Sequence, residues 1–94
     1  MKSIMQNEKE CYICGKTYEL ESHHCLYGNN RKKADEDGLK VWLCYDHHRG
    51  TFGVHGKNGK EISDYLKKEA EKKWISYYSK DKKEFIKRYG KNYI

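Results

Sequence analysis

Two short ligand pairs, Cys11-x-x-Cys14 and Cys44-x-x-His47, restrict the possible folds of this chain more than any other feature. Each spacing lets two side chains meet one ion from a tight turn, and Gly15 supplies the turn behind the first pair. The pairs stand about 30 residues apart. Together they complete a tetrahedral Cys3His set with no open position, which is the signature of a structural zinc. Such a site would clip the start of the chain to a helix beginning near Asp46. The competing readings are reduced thiols in a core and a disulfide. Met1 to Glu10 is polar, with no signal-like apolar run, and no stretch reaches the roughly 18 apolar residues of a membrane span. The expected location is therefore cytoplasmic, where Cys-x-x-Cys favours metal. Cys25 is left over and reads as a small buried residue.

A staple is what this composition calls for. Only 36% of the 94 residues are hydrophobic, so a single small domain (1–94) has a thin core. Residues 1–10 read as a disordered or loosely docked leader. Residues 18–26 alternate as a short strand, with Tyr18, Leu20 and Ser22 on one face and Glu19 and Glu21 on the other. Residues 28–38 are polar, flanked by glycines and without apolar periodicity, and read as a long loop. Residues 39–43 form a second strand pairing with the first. A short helix follows from Asp46, interrupted early by Gly50, Gly53 and Gly56.

Beyond residue 57 the pattern turns helical. Asn58 and Glu61 have the spacing of a capping box. Ile62, Tyr65, Leu66, Ala70, Trp74 and Tyr77 recur at helical spacing. Asp81 and Glu84 repeat the cap, Phe85, Ile86 and Tyr89 share one face of a last helix, and Gly90 ends it. Trp74, Tyr77, Phe85 and Tyr89 read as core. The class is α+β: a zinc-stapled unit over residues 11–56, then a basic helical tail over residues 57–94.

Charge separates these two parts. Residues 1–56 carry 8 Lys+Arg and 8 Asp+Glu, while residues 57–94 carry 12 and 6, which is the whole net charge of +6. A basic arm in a chain with nine tyrosines points to a polyanion, most simply nucleic acid; the alternative is a solvated Lys/Glu helix surface.

The five histidines fall at 23, 24, 47, 48 and 55. Imidazoles converging on one point repel when protonated, and a divalent cation is the simplest group that makes such a cluster favourable. On a helix from Asp46, neighbouring side chains diverge by about 100°. His47 can thus turn to the zinc while His48 faces the strand of His23 and His24.

In this arrangement the chain resembles the HNH endonucleases, whose catalytic unit is the ββα-metal (His-Me) finger. The resemblance rests on His23-His24, Leu43-Cys44-x-x-His47-His48, the preceding Cys11-x-x-Cys14 and the later Gly53-Val54-His55-Gly56. It covers residues 11–56, and this form is similar to small phage and prophage HNH proteins, some described as recombination-associated nucleases. The resemblance implies a hydrolase that cleaves DNA in a bacterial host cytosol. His24 would be the general base, at an imidazole pKa near ~6.5. His23 and His48, with His55 as a further candidate, would hold a catalytic Mg2+, Mn2+, Zn2+ or Ni2+. Arg31, Lys32, Lys33 and Arg49 would meet DNA phosphates, and lysines 67, 68, 72, 73, 80, 82, 83 and 87 would follow the backbone without sequence preference. A recombination protein is a possible partner.

Two features depart from a simple reading. Adjacent strand residues face opposite ways, so bringing His23 and His24 to one site calls for a twist or bulge. The family's middle Asn has no counterpart in Asp35-Glu36-Asp37-Gly38-Leu39, where Asp37 or a backbone carbonyl is the candidate acceptor for His24. A zinc-stabilised nucleic-acid-binding module without catalysis is the alternative function. A third reading makes the histidines a second, closed structural metal site.

Overall fold

The computed structural model describes residues 2–94. Strands β1 (Leu20–His24) and β2 (Lys40–Cys44) form an antiparallel pair, and four helices surround it: α1 (Arg31–Asp37), α2 (Tyr45–His48), α3 (Lys60–Tyr78) and α4 (Lys82–Tyr89). This is an α+β arrangement. No helix among the described residues is long and apolar enough to cross a membrane.

The strand pair sets the geometry of everything near the histidines. Its register runs without interruption from Leu20 opposite Cys44 to His24 opposite Lys40. Directly opposed residues share a face. Glu21 and His23 therefore lie on the side of Leu43 and Val41, both fully buried, whereas His24 shares the other side with Lys40. The expected bulge at His23-His24 is absent. The one irregularity nearby is Glu19, at φ 54°, just before the strand begins.

The outer edge of β2 would leave backbone donors and acceptors bare, and the N-terminal leader covers them. Ser3 Oγ donates to the Lys40 carbonyl (2.6 Å), the Trp42 N–H donates to Gln6 Oε1 (2.9 Å), and the Tyr12 N–H donates to the Trp42 carbonyl (2.9 Å). Met5 is buried beside them. The leader is thus docked rather than disordered, because a strand edge requires partners whatever the polarity of the segment that supplies them.

The stretch expected to be a loop also differs. Residues 28–30 form one 3-10 turn and Arg31–Asp37 is helix α1. Two turns offer too few positions for a visible apolar period, and a single buried residue, Ala34, anchors the helix to the core. Asp37 at its end accepts hydrogen bonds from Trp74 Nε1 (2.8 Å), Arg88 Nε (2.6 Å) and the Tyr89 hydroxyl (2.5 Å). One carboxylate therefore joins α1 to both tail helices.

In α3 the buried stripe is Leu66, Ala70 and Trp74, with Ser63 and Glu71 beside it, while Tyr65 and Tyr77 are exposed. Phe85 and Tyr89 of α4 pack edge-to-face with Trp74 at ring separations of 5.5 and 6.3 Å, and Ile86 points outward. The expected periodic stripes were too wide because a helix lying on a small core buries a narrow face. Asn58 does not cap α3: Gly59 holds the N-cap position, and the Asn58 N–H is used on the Thr51 carbonyl. The second cap forms as expected, with Asp81 Oδ1 accepting from the Glu84 N–H at 2.9 Å and Gly90 at the C-cap.

Candidate metal centres and the histidine cavity

Gly15, at φ 80°, closes a turn in which its N–H donates to the Cys11 carbonyl (2.8 Å), and this turn aims Cys11 and Cys14 at one point. Cys44 at the end of β2 and His47 in α2 approach the same point. The ligand atoms of Cys11, Cys14, Cys44 and His47 all lie within 4.8 Å of one another. A tetrahedron with metal–sulfur bonds of about 2.3 Å has edges of about 3.8 Å. Cys14 and Cys44 are 3.8 Å apart at sulfur, and Cys11 Sγ is 3.7 Å from His47 Nδ1. These distances fit a shared ion and exclude a disulfide among the four ligands. Burial pushes the Cys11 thiol up, but backbone N–H groups around it prevail and bring it down to about 6, the direction a metal thiolate needs. Cys25 stands apart from this set, buried with its sulfur 3.5 Å from that of Met5, and burial raises its thiol far above the usual range.

The second cluster is built from three elements. His23 comes from β1, His48 from α2 and His55 from the glycine-rich turn that follows. Their ring centroids are separated by 5.3, 5.3 and 4.7 Å, and one nitrogen of each lies within 4.8 Å of the others. His55 is placed by a backbone bond from its N–H to the His48 carbonyl (2.9 Å), and the Val54 N–H likewise meets the His47 carbonyl (3.0 Å). That return requires close backbone approach at Gly53, where an added Cβ would stand 2.7 Å from the Asp46 carbonyl oxygen. Helix α2 does end early, and the chain folds back to deliver His55 instead of carrying it on a longer helix.

Burial, with the nearby charges of His48, His55, His24 and Lys67, pushes His23 down to about 3, so it is neutral and keeps a lone pair. His55 is lowered for similar reasons. His48 Nδ1 lies 2.8 Å from Glu21 Oε1. As donor to that carboxylate it leaves Nε2 as the free ligand atom, the usual outer support of a metal histidine. Glu21 was not singled out from sequence, although its position two residues before His23 on one strand face was a usable signal.

His24 turns the other way and lines the same cavity, at the open edge of β1, together with Ser22, His23, Tyr27, Arg31, His48 and His55. Its Nε2 lies 3.0 Å from Asp35 Oδ1, which also accepts from Lys40 Nζ at 3.0 Å. The acceptor for His24 is thus Asp35 and not Asp37, which the tail helices occupy. The hydrogen bonds from His24 and Lys40 hold the Asp35 carboxyl below its ordinary range. No sequence pattern marks Asp35, because it reaches His24 only from a helix that was read as a loop.

The four basic candidates separate in space. Arg31 lines the cavity, and its guanidinium has no protein partner among the described residues. Lys32 is exposed beside it. Lys33 points to the tail and donates to the Arg88 carbonyl at 2.9 Å. Arg49 pairs with Glu21 at 2.9 Å. Comparison with family models, curated proteins and solved structures returned no match for this chain.

Proposed function

We propose that this protein is a metal-dependent endonuclease of the HNH type that hydrolyses DNA phosphodiester bonds. In this reading β1, β2 and α2 form a ββα-metal finger, and a structural zinc on Cys11, Cys14, Cys44 and His47 ties the leader to it. The observation that carries the proposal is the histidine cavity: three imidazoles from three elements converge, and a fourth, on the opposite strand face, opens into the same space. Three protein ligands leave coordination positions open, which suits catalysis and argues against a closed structural site.

The residues divide the work as follows. His23, His48 and His55 would hold a divalent cation (Mg2+, Mn2+, Zn2+ or Ni2+), which supplies charge stabilisation to the phosphate and the leaving 3′ oxygen. Glu21 keeps His48 in the ligating tautomer. His24 donates a hydrogen bond from its Nε2–H to Asp35 and so presents Nδ1 as the base toward an attacking water. Asp35 then balances the imidazolium that forms, and Lys40 keeps Asp35 ionised. Arg31 offers its free guanidinium to a phosphate oxygen. The exposed lysines of α3, α4 and the turn between them (68, 72, 73, 80, 82, 83 and 87) follow the DNA backbone without reading sequence.

The test is plasmid nicking with added Mg2+ or Mn2+, comparing the wild-type chain with His24→Ala. Metal-dependent nicking lost in the variant, with DNA binding retained, is the expected result. Tight, salt-sensitive DNA binding with no cleavage under any divalent metal would replace the proposal with a zinc-stabilised binding module. Equal cleavage by both proteins would remove His24 from the role of base.

A further inference from the structure

Tyr27 is an aromatic residue at the mouth of the histidine cavity that metal binding and proton transfer do not use. It is 41% exposed, yet it is held firmly in place. Its hydroxyl is 2.7 Å from Ser63 Oγ on α3, its ring lies 6.0 and 6.3 Å from those of His23 and His55, and Lys67 Nζ stands 4.9 Å over it. Two cations without a carboxylate partner lie nearby: Arg31 on the wall of the same cavity, and Lys67 on α3, whose ammonium also stands 5.8 Å over the Tyr93 ring. The nearby carboxylates are already engaged: Glu21 by His48 and Arg49, Asp35 by His24 and Lys40, Asp64 by Lys60. An exposed ring near such cations fits a ligand that is both aromatic and polyanionic. An apolar protein surface would have to bury those charges unpaired.

The cavity measures about 220 Å3. That is below the roughly 300–1,000 Å3 of clefts that enclose whole small ligands. A phosphate can enter it while the attached base stays at the rim, where Tyr27 stands.

We propose that Tyr27 is a stacking platform for an unpaired nucleobase next to the cleaved phosphate, with Arg31 and Lys67 gripping the flanking phosphates. Resting on the nuclease reading, this names the substrate class: DNA with single-stranded or splayed nucleotides at the cleavage point, in preference to uninterrupted duplex. A base inside a duplex presents only its edge, whereas stacking needs its face. An aromatic ring fixed before binding loses little freedom when a base lands on it, and each such contact is worth about 1–3 kcal/mol.

The experiment uses the zinc-loaded full chain without added divalent metal, so that binding is read apart from cleavage. A short oligonucleotide carrying 2-aminopurine is offered single-stranded and as duplex at fixed salt, and affinity and fluorescence quenching are both recorded. Wild type and Tyr27→Phe should bind the single strand more tightly and quench the probe. Tyr27→Leu should weaken single-strand binding by roughly 5- to 150-fold and abolish quenching, with duplex affinity unchanged and a thermal midpoint matching that of Tyr27→Phe, which loses the same bond to Ser63. Lys67→Gln should lower the salt dependence of single-strand binding by about one phosphate contact. Equal losses on both DNA forms, an unaltered Tyr27→Leu, or tighter wild-type binding to duplex would each overturn the proposal. Plasmid nicking measured alongside separates the two readings. Nicking without stacking leaves a duplex nuclease, and stacking without nicking leaves a single-strand binding site.

Discussion

Four histidines packed within one small region have different surroundings, because each has a different second partner. His47 faces sulfur, His48 is tied to Glu21, His24 to Asp35, and His23 is simply buried among the others. For His24 the partner decides which nitrogen is free. Asp35→Ala should therefore lower kcat for nicking by roughly 10- to 100-fold, less than the ~10²–10⁴ expected for loss of the base itself, with DNA affinity unchanged. Asp35→Asn should recover most of that loss, because the ammonium of Lys40 beside it turns the amide oxygen, not its NH2, toward His24. Steady-state nicking kinetics with a parallel binding assay checks both variants. If Asn is as poor as Ala, the hydrogen bond does not orient the base.

At the scale of elements, α2 could not stand alone. Four residues make one turn, which is far too short to be stable in water. It is held between the Cys44-His47 corner and the backbone bonds that residues 53–55 send back to residues 47–50. This explains why glycine stands at position 53, where carbonyl groups of α2 fill the space a side chain would need. Gly53→Ala should destabilise the chain by about 1–3 kcal/mol in denaturant unfolding. It should also weaken metal binding at His23, His48 and His55 more than zinc content, measured by titration calorimetry and metal analysis. The Arg31–Asp37 helix is where sequence reading went astray, and the leader is where it left open an alternative that packing decided. In both, polar segments are ordered by what lies beside them: the core behind Ala34 for α1, and the bare edge of β2 for the leader.

For the whole molecule, the apolar core is small and two polar devices hold its parts together. Asp37 links α1 to α3 and α4, and the Cys3His set, with an ion bound, would link the segment after the leader and the end of β2 to α2. If that set holds zinc, removing the ion should cost most of the folding free energy, since binding to a site absent from the unfolded chain is folding energy. A chelator should lower the melting temperature sharply and added Zn2+ should restore it, followed by circular dichroism. Cys25→Ser should leave the zinc stoichiometry equal to that of the wild-type chain. A melting curve indifferent to chelator would mean that the four ligands hold no stabilising ion.

Local features of the chain already contain its α+β class, the antiparallel strand pair, the Asp81 cap, the tail helices and the meeting of Cys11, Cys14, Cys44 and His47. Each follows from spacing along a few residues, where the geometry of a turn, strand or helix leaves little freedom. Folding in three dimensions decided the rest. Asp35 reaches His24 from eleven positions away, Glu21 reaches His48 from 27, and Ser63 braces Tyr27 across 36. Such contacts join elements by packing, and no periodicity in the sequence encodes which polar side chain will face which imidazole.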